Sequence, residues 1–185
     1  MKRTFLAITT SDNTSRLISS IFEDLPELEE KVKPANPNNP HITVKFLGDT
    51  EEDNIIPLIR DLKQKFSDFN KFGFEIDGTG VFPAPSNPRV FWLGVGKGKQ
   101  NLKKMHKNIE EVTQKYDVKP DKHDFTPHIT IGRKKKNNQL KNLNDFLDYS
   151  FKPEFNQAEE IVFFESILKH SGAEHKIIDR IKLRG

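Results

Sequence analysis

PHITVKFLG, residues 40–48, decides the fold, because PHITIGR, residues 127–133, repeats its opening 87 residues later. In the first copy Ile42, Val44 and Phe46 alternate with His41, Thr43 and Lys45. A period of two predicts a β-strand with one apolar face and one His-Thr face. In the second copy Ile129 and Ile131 alternate in the same way with His128 and Thr130. No period of about 20 to 50 residues accompanies the echo, so a solenoid does not explain it. Two related lobes do, each with one such strand at its centre and a helix over the apolar side.

Outward from these strands, Arg3 to Thr9 is rich in strand formers and predicts a first strand. Leu17, Ile18, Ile21, Phe22 and Leu25 then recur at helical spacing, and Lys33 to Pro40 reads as a loop that delivers the chain into His41. After the first motif Ile59, Leu62 and Phe66 mark a helix with Pro57 in its first turn. Two strands, Phe72 to Phe82 and Arg89 to Val95, flank the turn PAPSNP. Leu102, Met105, Ile109, Val112 and Tyr116 predict a third helix, and Leu140, Leu143 and Leu147 a short one. Glu160 to Leu168 and His175 to Leu183 read as closing strands.

The 185 residues suit one domain, and with 34% hydrophobic against 31% charged residues the core must be thin. A net charge of +3 is compatible with an anionic ligand without demanding one. Cysteine is absent, which excludes disulfides, thiolate catalysis and Cys-based zinc sites and fits a reducing cytoplasm. Residues 1–11 lack the apolar core of a signal peptide, and no run is long enough to cross a bilayer. The expectation is a cytoplasmic protein with no membrane partner.

On a strand residues i and i+2 share a face, so His41 projects with Thr43 and His128 with Thr130. Two such strands facing one another would line a cleft with two imidazoles and two hydroxyls. Imidazole accepts a proton, imidazolium donates one, and an ordinary pKa of about 6.5 keeps both forms accessible near neutrality. A hydroxyl beside each ring can hold a non-bridging phosphoryl oxygen. Cleavage of a phosphodiester asks for these parts, and where the ester is a strained 2′,3′-cyclic phosphate a metal is dispensable. Metal-binding histidines usually come as HxxxH or with Cys and carboxylate partners, and neither motif matches.

PHITVKFLG and PHITIGR resemble the two signature motifs of the two-histidine phosphoesterases, and in particular of the RNA 2′,3′-cyclic phosphodiesterases, also called 2′-5′ RNA ligases. GTGVFPAPSNPRVFWLGV resembles the segment between those motifs, and the likeness covers nearly the whole chain. It implies an α+β fold for residues 1–185 as a single bilobal domain, with two antiparallel sheets lining a central cleft and helices outside. It implies that His41 donates a proton to the leaving 3′ oxygen and that His128 accepts one from water. Thr43 and Thr130 would hold the phosphoryl oxygens, and Arg133 aligns with the family's basic residue, although strict alternation turns it away from His128. The implied partner is RNA ending in a 2′,3′-cyclic phosphate, tRNA fragments or small cyclic nucleotides included, with no metal or other cofactor and a monomeric chain.

Lys45 shares the His41 face under strict alternation and could meet phosphate or simply be solvated. The basic runs Arg133 to Lys136 and Lys97, Lys99, Lys103, Lys104 and Lys107 could steer RNA, though solvated faces are expected for most. Phe82, Phe91 and Trp92 could stack a base, though their strand context points to core packing, and His106, His123, His170 and His175, with no repeated partner, are expected outside the site. Two other readings stay open: 2′-5′ joining or turnover of a small cyclic nucleotide in the same cleft, and a non-catalytic binder of RNA ends.

Overall fold

Strands form where the sequence alternates and helices where apolar residues recur every three to four positions, as the computed structural model describes for residues 1–36, 38–136, 140–169 and 172–185. The order is β1 (Lys2–Thr9), α1 (Asp12–Asp24), α2 (Pro26–Lys31), β2 (Val32–Pro34), β3 (His41–Thr50), α3 (Glu52–Phe66), β4 (Phe72–Phe82) and β5 (Val90–Val95). It continues with α4 (Lys99–Thr113), a 3-10 turn (Gln114–Tyr116), β6 (His128–Lys134), α5 (Leu143–Leu147), β7 (Glu154–Ala158), β8 (Glu160–Lys169) and β9 (Gly172–Lys182). Sequence reading missed α2, β2 and β7, all of six residues or fewer. Pro57 is the sixth residue of α3 rather than part of its first turn, so the exposed Asp53 carbonyl loses its usual helical donor.

Antiparallel pairing runs β7-β4-β5-β6-β3-β1-β8-β9, with β2 added along β6. The middle of the chain builds one half, β7-β4-β5-β6, and the two ends of the chain build the other, β3-β1-β8-β9. These halves are the two expected sheets, and they meet edge to edge at β3 and β6, where Ile42 pairs with Ile129. Helix residues Ile21, Leu58, Leu62, Met105 and Ile109 share one buried core with Leu6, Ile42, Val44, Leu93, Ile129 and Ile131 from one face of the sheet. Phe5, Ala7, Val162 and Phe164 form a separate buried patch.

The two His-Thr strands do not alternate strictly. On β3, Thr43 pairs with Ala7 and Lys45 with Leu6, which leaves Val44 as an extra residue. On β6, Thr130 pairs with Trp92 and Gly132 with Phe91, which leaves Ile131 extra. A bulge of this kind points two successive residues to one side and resets the alternation beyond it. Val44 and Lys45 are accordingly both about 1% exposed, and a Cβ on Gly132 would stand 2.4 Å from Val32 Cγ1 on the core side. Phe46 and Arg133, each five positions after a motif histidine, therefore return to the histidine face.

Candidate functional site

The single Ile42 to Ile129 pairing brings the two PHIT segments side by side at the centre of the sheet, with His41, Thr43, His128 and Thr130 half-buried. Each imidazole is fixed in the same way. His41 Nδ1 donates to the Asn39 carbonyl at 2.9 Å, and His128 Nδ1 donates to the Thr126 carbonyl at 2.7 Å. A carbonyl only accepts, so both rings carry the Nδ1 proton and keep Nε2 for a ligand. Neither Thr43 nor Thr130 makes a side-chain hydrogen bond among the described residues, which leaves both hydroxyls available.

Burial is the main cause that lowers the pKa of both rings below the ordinary 6.5. For His41 the hydrogen bond to Asn39 opposes this, and the charges of His175 and His128 add to it. For His128 the hydrogen bond to Thr126 opposes it, and Arg133 adds to it. Both imidazoles are thus neutral bases near pH 7, and an anion between them would raise their affinity for protons. Arg133 acts electrostatically on His128, and the bulge turns its position toward the histidine face, against the expectation from strict alternation.

Lys45 is corrected in the opposite sense. The bulge carries it through to the helix side, where its buried ammonium bonds Glu110 of α4, the Lys119 carbonyl at 3.0 Å and Asp121 Oδ1 at 2.9 Å. His106 Nε2 donates to Asp121 Oδ2 at 2.9 Å and stacks on Phe125 at 4.5 Å. Burial alone would raise the Asp121 pKa, but the hydrogen bonds from Lys45 and His106 hold it below the usual carboxylate range. His106, Glu110 and Asp121 have the spacing of a metal-ligand group. The Lys45 ammonium already bridges both carboxylates there. What this cluster holds is the segment 119–125, which leads directly into His128.

The surroundings of the two rings are aromatic. Phe82 and Trp92 lie 5.0 and 6.1 Å from His128, so they line the site instead of the core, while Phe91 is fully buried as expected. The Trp92 indole lies flat over Gly80, where a Cβ would come within 2.2 Å of the ring, and its Nε1 is buried without a partner among the described residues. Phe5 lies 5.4 Å from His41, and His175 lies 5.3 Å from it, edge-on. Sequence reading left His175 out and turned Phe46 into the core, where in fact it is 65% exposed beside Phe5 at 6.0 Å. The shared offset of Phe46 and Arg133 was the available signal for a bulge. His175 has no local signal.

Three lysines of the basic runs are engaged elsewhere on the molecule. Lys97 pairs with Glu75, Lys104 covers the Phe69 ring at 5.7 Å, and Lys135 donates to the Glu29 and Glu30 carbonyls. His170 lies outside the described residues. Among those residues no helix is long and apolar enough to cross a membrane.

The model of the 2′-5′ RNA ligase superfamily matches residues 5–164. An RNA 2′,3′-cyclic phosphodiesterase of Aquifex aeolicus is 30% identical over 186 residues, covering 99% of this chain and 98% of its own. One from Aeropyrum pernix is 30% identical over 155 residues, covering 82% and 86%. The solved structure of E. coli LigT with 3′-AMP superposes with a TM-score of 0.78 at 19% identity, over 100% of this chain and 99% of that one, a likeness of fold.

Proposed function

Because the chain belongs to the 2′-5′ RNA ligase superfamily, we propose that it opens the 2′,3′-cyclic phosphate at an RNA end to leave a 2′-phosphomonoester. The observation that carries this reading is the matched tautomer of the two imidazoles. Each has Nδ1 tied to a carbonyl two residues back and Nε2 free beside an unengaged threonine hydroxyl. That is one acid-base group per lobe, with a donor for a phosphoryl oxygen next to each.

His128 in its neutral form takes a proton from water as the oxygen attacks phosphorus. His41, protonated once the phosphate anion has raised its pKa, gives a proton to the departing 3′ oxygen. Thr43, Thr130 and Arg133 hold the non-bridging oxygens, where negative charge builds in the transition state. The strained ring lowers what the protein must supply, so no metal takes part. The family description favours a second use of the same groups. With an RNA 5′-hydroxyl in place of water as the nucleophile, the same ring opening forms a 2′-5′ linkage, and by microscopic reversibility its reverse cleaves one. The chain would act as one two-lobed monomer in the cytoplasm, on RNA ends that include tRNA fragments.

The test is incubation of purified protein with an oligonucleotide ending in a 2′,3′-cyclic phosphate, with and without EDTA. The expected product is a 2′-phosphate at a rate indifferent to the chelator. Exclusive 3′-phosphate, stoichiometric binding without turnover, or loss of activity on chelation overturns the reading.

A further inference from the structure

In-line opening of the ring sets the attacking water and the leaving 3′ oxygen on opposite sides of phosphorus. With His128 at the water and His41 at the leaving oxygen, the nucleoside that owns that oxygen lies on the His41 side. The wall there belongs to β3, β1, β8 and β9. We propose that Phe46 and His175, on either side of Phe5, form the subsite for that terminal nucleoside, Phe46 stacking the base and His175 hydrogen-bonding its edge. This inference rests on the proposed activity and on the roles given there to the two motif histidines.

Four observations support it. Phe46 is 65% exposed although its strand is otherwise largely buried, and the β3 bulge is what turns it onto the histidine face, 6.0 Å from the Phe5 ring. Phe5 itself is 2% exposed and stacks on Phe164 at 5.1 Å, so the floor between the two groups is rigid. His175 sits on β9, three strands from β3, roughly 14 Å away in a flat sheet, yet its ring is 5.3 Å from His41 and 4.8 Å from Phe5. Only strong curling of this half closes that gap, and it wraps the wall around whatever lies against His41. Finally, the His175 ring makes no hydrogen bond among the described residues, and burial lowers its pKa. A neutral imidazole offers one donor and one acceptor, the complement of a base edge.

The other half of the sheet has Phe82 and Trp92 beside His128 but no counterpart of the Phe46 and His175 pair. At the offset of Phe46 it carries Arg133, and β7 pairs with β4 only from Phe72 to Ile76, at the end of β4 away from Phe82. No strand there reaches the position that β9 takes beside His41. A water molecule or a 5′-hydroxyl needs less from its wall than a nucleoside does.

The experiment compares kcat/KM for adenosine 2′,3′-cyclic phosphate with kcat/KM for methyl riboside 2′,3′-cyclic phosphate, which has the same reacting ring and no base. The ratio of the two is measured in the wild type, Phe46→Ala and His175→Leu, the second of which removes both the donor and the acceptor. Because it is a ratio, a fraction of inactive protein does not affect it. In both variants it should fall, by about tenfold in Phe46→Ala, the loss expected when a base loses its aromatic partner, with the change carried by KM of the adenosine substrate. A ratio that stays at the wild-type value in either variant overturns the subsite. If the wild type turns over neither compound, the proposed activity has failed, which is a different result.

Discussion

β3 and β6 bulge at the same offset from their histidines, and the residues that follow the bulge differ in every respect that matters for ligands. In the first lobe the sequence is Val44-Lys45-Phe46, and in the second Ile131-Gly132-Arg133. Behind the sheet, the first lobe sends a lysine across to Glu110 and Asp121, whereas the second has a glycine so that β2 can approach. In front of it, the first lobe presents an aromatic ring and the second a cation. The duplicated frame fixes two imidazoles and two hydroxyls in equivalent places, and the reset after the bulge gives each lobe its own ligand preference. Under the proposed function, one lobe faces the nucleoside and the other faces the phosphoryl charge.

The hardest test of this division removes the histidines. His41→Ala and His128→Ala should each lower kcat on a cyclic-phosphate RNA by about 10²- to 10⁴-fold. A diester with p-nitrophenolate as leaving group needs no proton donor, so on that substrate His41→Ala should recover most of its rate and His128→Ala should not. Equal recovery by both variants would remove the assignment of acid to one lobe and base to the other.

Next in size is the contrast behind the sheet. The Lys45 side chain is wholly buried, while its partners Glu110 and Asp121 are 14% and 41% exposed. Lys45→Met strands two carboxylates, one of them partly hydrated, which should cost about 2 kcal/mol and lower Tm by about 4 to 8 °C. Gly132→Ala brings a methyl within 2.4 Å of Val32 and 2.9 Å of the Lys33 carbonyl. Overpacking there should cost about 1 kcal/mol or more. Thermal melts of the two variants, beside kcat for Lys45→Met, show whether the lysine also holds the segment that leads into His128. Unchanged melting of Lys45→Met would mean that the cluster contributes nothing to the fold.

Much of this was legible in the sequence, since the paired motif, the strands around it and the main helices all follow from hydrophobic period. Bringing His41 with Thr43, and His128 with Thr130, onto one face needed only the rule that alternate residues share a face. Sequence reading went wrong where a strand stops obeying that rule. One extra residue at Val44 and another at Ile131 exchanged the faces of Lys45, Phe46 and Arg133. A bulge is a property of the pairing between two strands, so β3 read alone does not reveal it. His175 was missed for a longer-range reason: its place beside His41 comes from the curl of four strands drawn from both ends of the chain. The short β2 and β7 lack the length on which periodicity depends.

In front of the sheet, Arg133→Met should raise KM about tenfold by removing a charge-assisted bond to the phosphate. A Phe46→Ala variant would leave that charge in place.

The smallest expected effect is the most specific to the lobes. Under the proposed roles, activity on free substrate requires His128 deprotonated and His41 protonated, so the kcat/KM profile should be a bell whose limbs belong to the free protein. Burial lowers both pKa values below 6.5. A lowered value on the base extends activity to more acid pH, and a lowered value on the acid ends it sooner on the alkaline side, so the maximum lies on the acid side of 6.5. With substrate bound, the phosphate anion raises both values, and the kcat profile should lie at higher pH than that of kcat/KM. Arg133 is among the causes that lower His128 and does not appear among those acting on His41. In Arg133→Met, therefore, the acid limb alone should move to higher pH while the alkaline limb stays. A kcat/KM maximum above pH 7, or a joint displacement of both limbs in that variant, would show that the two imidazoles do not sit in the separate electrostatic surroundings from which their roles are inferred.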